Sequence, residues 1–265
     1  MRFRKVSIGK DSFLNEDAVL ADCNRIAVSD GAGGGGLFAD KWASFLLEKL
    51  PMHPIHSFKA LDDWINTIWE SFYIELESMA KSLGSVELNK FYDEGSLATL
   101  SALWVKESDI EWINYGDSAV FCYDFRSKEL YTSIKNPRAF NDAPYLININ
   151  APLIAGGFEK GTFSIGKHKL YFCATDALAH YILVSYMAAN KSVYGKEIDE
   201  LEGARSKNSN FIKSICSEQE IEFEKDVIIK ILDCAESESD FAMLMNKLMV
   251  SGKLAYDDCS IAFLY

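Results

Sequence analysis

The chain has 265 residues, 49% of them hydrophobic and 25% charged, a globular composition that excludes a disordered chain and suffices for one substantial core or two small ones. Its formal net charge of −12 argues against nucleic acid and anionic membrane as partners, because both select a basic surface. An acidic chain can still take a phosphorylated substrate where local cations neutralise the site, which points to metal ions.

The six cysteines, Cys23, Cys122, Cys173, Cys216, Cys234 and Cys259, form no CxxC pair, and most lie in apolar runs. They read as free thiols of a reducing compartment. The N-terminal "MRFRKVSIGKDSF" lacks the apolar core of a signal peptide, and no run reaches the length of a membrane span. These features predict a soluble, cytoplasmic protein.

In chain order, "RFRKVSI" alternates as a strand. "AVLAD" and "RIAVSD" read as two strands joined by a turn at Cys23–Asn24. "LFADKWASFLLEKL" has helical spacing through Leu37, Trp42, Phe45 and Leu46, and Pro51 and Pro54 end it. A second helix follows from an N-cap at Ser57, with a stripe through Trp64, Ile65, Ile68, Trp69, Phe72, Leu76 and Met79. The segments "SLATLSALWVK", "IEWINYGD", "AVFCYDF" and "LYTSI" are strands joined by turns too short for crossover helices, so they pair antiparallel. Residues 136 to 160 carry three prolines and Gly156–Gly157 and form an irregular excursion. "GTFSI" and "HKLYFCATD" are strands and "ALAHYILVSYMAAN" is a helix. Residues 191 to 235 are helical in parts, "SESDFAMLMNKLM" is a helix and "CSIAFLY" a closing strand.

Residues 31 to 36 read GAGGGG and satisfy the GxGxxG pattern of dinucleotide-binding loops. The order of elements rejects that role. A dinucleotide fold needs a helix that returns to a parallel strand, whereas here a second long helix follows and hairpins build the sheet. Asp30 would also confront the pyrophosphate. A Walker A loop is excluded because no Lys-Ser or Lys-Thr follows the last glycine.

Carboxylates recur at strand ends: Glu16 and Asp17 in "NEDAVL", Asp30 in "RIAVSDG", Asp117 in "INYGDS", Asp176 in "LYFCATDAL", and Asp257–Asp258 in "DDCSIAF". Each alone is explained more simply as a turn or a cap. Together they form an oxygen-only set suited to hard ions such as Mg²⁺ or Mn²⁺.

In their joint order, "NED", "AVSDG", "GSLAT", "NYGDS", "ATDAL" and "DDCSIAF" resemble the type 2C, metal-dependent serine/threonine phosphatases, from Asn15 to Phe263. The resemblance implies an α+β fold, a four-layer α-β-β-α sandwich of two antiparallel sheets covered by helix pairs. It implies a single catalytic domain over residues 1–265, with the excursion at about 136–160 as a flap. It also implies two metals, Mn²⁺ or Mg²⁺, and a third, weaker site. Asp30 matches the acid that bridges them, the Gly31 carbonyl matches a ligand of one, and Asp176 and Asp257 match ligands of the other. Glu16 and Asp17 match acids that hold metal-bound water or touch the second ion, and Asp117 matches a ligand of the third. Asp30, Asp176 and Asp257 are therefore the expected catalytic set. Two ions roughly 3.5–4 Å apart activate a shared water for attack on phosphorus. The implied substrate is a phosphoserine or phosphothreonine protein. No GxSxG or CxxxxxR nucleophile is present.

The chain departs from the family pattern at several places. Ser12 stands where a phosphate-binding Arg is usual, with Lys10 and Arg4 as nearby substitutes. Ala119 and Ala177 replace the usual Arg and Gly, and His180 stands where an acid is frequent. His180 reads either as a metal or phosphate ligand or, as the helical stripe of Leu178, Tyr181 and Ile182 favours, as a core-rim residue. These departures keep two alternatives open: a binding or regulatory module that retains the fold, and a phosphatase of a small phosphorylated molecule. Of the final acid pair, Asp257 is the expected ligand and Asp258→Asn is expected to cost little. The sequence is silent on oligomeric state.

Overall fold

Most strands in this chain are apolar on both faces because each sheet is covered on two sides. In the computed structural model, which describes residues 1–11, 14–134, 136–204, 206, 208–217 and 220–265, the elements run as follows. The N-terminal half holds β1 (Phe3–Ile8), β2 (Ala18–Ala21), β3 (Arg25–Ser29), α1 (Ala39–Lys49), α2 (Phe58–Leu83) and α3 (Ser85–Glu94). The hairpin region holds β4 (Leu97–Ala98), β5 (Leu100–Val105), β6 (Asp109–Tyr115), β7 (Ala119–Asp124), β8 (Glu129–Thr132), β9 (Ile147–Asn148) and β10 (Phe158–Ser164). The C-terminal part holds β11 (Lys169–Ala174), α4 (Asp176–Ala189), α5 (Lys191–Gly203), α6 (Ser209–Cys216), a π-helical turn (Phe223–Ile229), α7 (Lys230–Cys234), α8 (Glu238–Val250) and β12 (Cys259–Leu264).

One five-stranded sheet has the order β1-β12-β11-β7-β8 and the other β10-β6-β5-β3-β2, with every neighbouring pair antiparallel. Side chains of alternate parity fill the space between them. Ile26, Val28, Leu103, Val120, Tyr171, Cys173, Ala262 and Leu264 form that inner layer. Their neighbours of opposite parity face the helices. Ala27, Ala102, Trp104 and Ile113 meet α1 and α2, whereas Phe121, Phe172, Ile261 and Phe263 meet the C-terminal helices. The result is the expected α-β-β-α sandwich, with three helices outside one sheet and five outside the other among the described residues. Among the described residues no helix is long and apolar enough to cross a membrane.

Ser57 caps α2 as its sequence predicts, its hydroxyl accepting from the Ala60 N–H at 3.1 Å, a contact typically worth ~1 kcal/mol. On the buried face, the Phe72 ring stacks on Phe45 at 4.2 Å and Trp42 at 5.5 Å between centroids. Two local readings need correction. Helix α1 starts at Ala39 rather than Leu37, because Phe38 adopts a left-handed φ of 57°. Helix α3 is not apparent from the periodicity, since it buries fully only Phe91 and is separated from α2 by Gly84, whose φ is 138°.

The excursion is a connection between sheets. It leaves the edge strand β8, forms 3-10 turns at Pro137–Asn141 and Ala155–Gly157, and enters the opposite edge strand β10 at Phe158. On the way β9 pairs with β4, and the Tyr145 carbonyl passes over Gly116.

Candidate active site: an acidic ring at one end of the sandwich

Register places the acids. In the first sheet Ile8 pairs with Cys259, Ala174 with Ile261 and Ala119 with Ala174, so the termini near residues 10, 117, 176 and 257 share one end. In the second sheet Ala18 pairs with Ser29 and Leu100 with Tyr115, which brings residues 17, 30 and 116 to one end as well. The two ends coincide. After burial, the four charges that act most on Asp30 are the carboxylates of Asp17, Asp176, Asp117 and Asp257.

Asp30 and Asp17 are the deepest of the set. Burial, followed by mutual repulsion, pushes the Asp30 carboxyl well above the usual carboxylate range. Burial does the same to Asp17, opposed by hydrogen bonds from Ser260 and Thr175. The Thr175 hydroxyl donates to Asp17 Oδ2 at 2.9 Å, and the Ser260 N–H donates to the Thr175 hydroxyl at 3.0 Å. Ser7 joins this network through the Ser260 hydroxyl at 2.7 Å and through Asn15 Nδ2 at 2.7 Å. The Asn15 side chain in turn accepts from the Asp17 N–H at 3.0 Å. The first residue of the NED motif is thus the brace that turns Asp17 inward.

Asp30 is aimed by its backbone. Its N–H donates to Thr99 Oγ1 at 3.0 Å and its carbonyl accepts from the Thr99 N–H at 2.8 Å. Thr99 Oγ1 also meets Ser118 Oγ at 2.7 Å, and Ser29 Oγ donates to the Thr99 carbonyl at 2.6 Å. Thr99 of "GSLAT" and Ser118 of "NYGDS" therefore tie the Asp30 turn to the Asp117 turn. Their hydroxyls carry functional geometry that the acid-based reading of the sequence passes over.

Two glycines of the run, Gly31 and Gly33, make room for their neighbours. A Cβ on Gly33 would lie 1.7 Å from Glu16 Oε1, so the Glu16 side chain rests on bare backbone. A Cβ on Gly31 would lie 2.6 Å from the Glu16 carbonyl and 2.7 Å from the Ala39 carbonyl, both immobile backbone atoms. Gly31 bridges Ala98, and its carbonyl accepts the Gly33 N–H at 3.1 Å, which leaves one of the oxygen's two lone pairs for another partner.

Glu16 stands on the rim near Lys10, Asp258, Asp40 and Asp257, and burial raises its pKa. Lys10 Nζ lies 3.1 Å from Asp257 Oδ1 and 3.9 Å from Glu16 Oε2. Arg4, the other substitute named from the sequence, is directed elsewhere: it pairs with Glu236 at 2.7 Å, donates to the Leu232 carbonyl and lies over the Tyr265 ring. Ser12 lies outside the described residues. Asp258 is buried, and its two oxygens accept the N–H groups of Lys10 and Glu16, each at 2.8 Å. Asp257, with a side chain 44% exposed, accepts the Asp258 N–H at 3.0 Å and faces the rim. His180 is buried with its ring edge-on to Phe140, 5.0 Å between centroids, as expected of a core-rim histidine.

The donor set is entirely oxygen, and repulsion among buried carboxylates creates a demand for positive charge, so it fits a hard divalent ion in chemistry. The acids gather without closing into a coordination shell: among the described residues no group of three or more His, Cys, Asp and Glu side chains is arranged to hold one ion.

No family model matches the sequence and no curated protein matches it. Solved structures do. The serine/threonine phosphatase Stp1 from Staphylococcus aureus superposes with a TM-score of 0.53 at 13% identity, over 98% of this chain and 93% of that one. The catalytic domain of the serine/threonine protein phosphatase PstP, solved in complex with two manganese ions, gives 0.52 at 14% identity, over 99% and 96%. A bacterial serine phosphatase gives 0.52 at 14%, over 99% and 96%. The chain has the fold of the bacterial serine/threonine phosphatases, the fold that its ordered acidic motifs imply.

Proposed function

We propose that the chain is a metal-dependent phosphatase of phosphoserine and phosphothreonine monoesters, acting as one catalytic domain over residues 1–265. The observation that carries the reading is the convergence of Asp17, Asp117, Asp176 and Asp257 on Asp30, in a fold shared with serine/threonine phosphatases. Asp30 would hold two Mn²⁺ or Mg²⁺ ions together, with the Gly31 carbonyl on one side and Asp176 and Asp257 on the other. Glu16 and Asp17 would orient water, and Asp117 would hold a third, weaker ion. Bound divalent ions supply an acidified water and neutralise phosphoryl oxygens that an acidic protein otherwise repels. The chain's own part is to orient. Thr175 and Ser260 fix the Asp17 carboxyl, Thr99 fixes the Asp30 turn, and Asp258 fixes the segment that carries Glu16. Lys10, paired with Asp257 at 3.1 Å, would meet a phosphoryl oxygen at that side of the ring.

The same Lys10–Asp257 pair supports a second reading, a phosphatase-fold binding module in which an ammonium group takes up charge otherwise left to an ion. Hydrolysis of a phosphothreonine peptide by the purified chain separates the two. Turnover with Mn²⁺ that stops on chelation supports the phosphatase, whereas phosphopeptide binding without turnover at any metal concentration supports the module. Turnover of an aryl phosphate alone would assign a small-molecule substrate.

A further inference from the structure

Next to the acidic ring lies a cavity of about 280 Å³, with Asp176 and Asp257 in its wall and Phe140, His180, Phe211 and Tyr256 around it. It is smaller than the roughly 300–1,000 Å³ of a site for a whole small molecule, and fits one large side chain. Its wall is built. The 3-10 turn that carries Phe140 is tied to the start of α6 by Asn208 Nδ2, which donates to the Phe140 carbonyl at 2.8 Å and to Asn141 Oδ1 at 3.1 Å. Phe140 is itself held edge-on to the buried His180 ring. Phe211 on α6 and the exposed Tyr256, directly before Asp257, close the other sides.

Two acids shared between ring and cavity give the cavity a definite place relative to the chemistry. A phosphoryl group held by cations at Asp176 and Asp257 would bring neighbouring atoms of its substrate to the cavity mouth. Aromatic walls favour an apolar or aromatic occupant over a charged one, whose lost hydration they do not replace. We propose that this cavity is a specificity subsite that takes an apolar or aromatic side chain flanking the phosphorylated residue. The proposal rests on the phosphatase reading for the position of the phosphoryl group.

The test measures binding apart from turnover. Fluorescent peptides carry a non-hydrolysable phosphonate analogue of phosphothreonine, with Phe, Ser or Glu at each flanking position in turn, and anisotropy is read with the full chain in Mn²⁺. At one position Phe is expected to bind about tenfold tighter than Ser, the scale of burying one aromatic side chain in part, and Glu weakest. Tyr256→Ser and Phe211→Ser should each remove most of that preference while the Ser peptide keeps its affinity within about twofold. Both side chains are at least partly exposed, and Tyr256→Ser decides alone if the α6 variant fails to fold. Equal affinity for Phe and Ser at every position, absence of binding, or a preference that survives both substitutions overturns the subsite. Hydrolysis of the parent phosphopeptides, followed in parallel, keeps the two claims apart. Preference without turnover overturns the phosphatase reading and leaves the subsite, and turnover without preference does the reverse.

Discussion

Two segments bring acids to the same end of the sandwich, and they do so in opposite ways. At residues 257–258 the carboxylates are answered by donors: Asp258 takes the N–H groups of Lys10 and Glu16, and Asp257 takes the Lys10 ammonium and the Asp258 N–H. At residue 30 the backbone is answered by Thr99, but the buried carboxyl is pushed up further by the charges of Asp17, Asp176, Asp117 and Asp257. The first arrangement stabilises the fold as it stands. The second is a cost that the folded chain bears unless a cation arrives. Asp258, whose two oxygens take backbone N–H groups, reads as structure, whereas the buried Asp30 among other acids is the candidate for a cation.

The largest effect should follow from removing the acid at the centre. Asp30→Asn is expected to lower Mn²⁺-dependent phosphopeptide hydrolysis by at least about 100-fold, beyond the 10–100-fold typical of groups that only support a ligand. The same change relieves repulsion, so the metal-free variant should melt higher than the parent, by about 2–4 °C for each kcal/mol relieved. Differential scanning calorimetry in chelator checks the second half, and a lower melting temperature would count against a strained Asp30.

The adjacent pair sharpens the comparison. Asp257→Asn should weaken metal activation, seen as a right-shifted Mn²⁺ curve. From the sequence, Asp258→Asn is expected to cost little metal affinity or rate, and the structure adds a cost in stability. An amide offers an NH₂ to one of the two backbone N–H donors that Asp258 now accepts, which typically costs ~1–3 kcal/mol. Asp258→Asn should therefore lower the melting temperature while the Mn²⁺ midpoint moves less than in Asp257→Asn. A larger shift of the midpoint in Asp258→Asn would exchange the two roles.

A smaller effect concerns pH. The folded-state pKa values of Asp17 and Asp30 lie above their unfolded values near about 4, so between those limits the folded chain binds more protons than the unfolded one. The stability these groups contribute is present at low pH and is lost as pH rises through the raised values. In chelator, melting temperature should fall on going from pH 5 to pH 7.5, and the fall should be shallower in Asp30→Asn. An equal slope in the variant would show that Asp30 does not titrate in this window.

Much of this arrangement was legible in the residues, because an Asp at either end of an apolar run marks both a strand and the place where it carries a charge. Asp17, Asp30, Asp117, Asp176 and Asp257 carry that signature, and antiparallel pairing then forces their ends together. What stayed hidden depends on contacts between distant segments. The Thr175–Asp17 hydrogen bond joins residues 158 positions apart, and the Asp258 clamp on Glu16 joins residues 242 apart. Nor could periodicity separate Asp257 from Asp258, since β12 is buried on both faces. Lys10 and Arg4 show the same limit. Both are cations in or just after the first strand, yet Lys10 faces the acids and Arg4 faces Glu236.

If the acids around Asp30 take up a cation, calorimetric titration of Mn²⁺ into the purified chain will show saturable binding. Most of that binding should be lost in Asp30→Asn, and Asp258→Asn should stay closer to the parent. Absence of binding in the parent, or equal affinity in parent and Asp30→Asn, would contradict a cation site at Asp30.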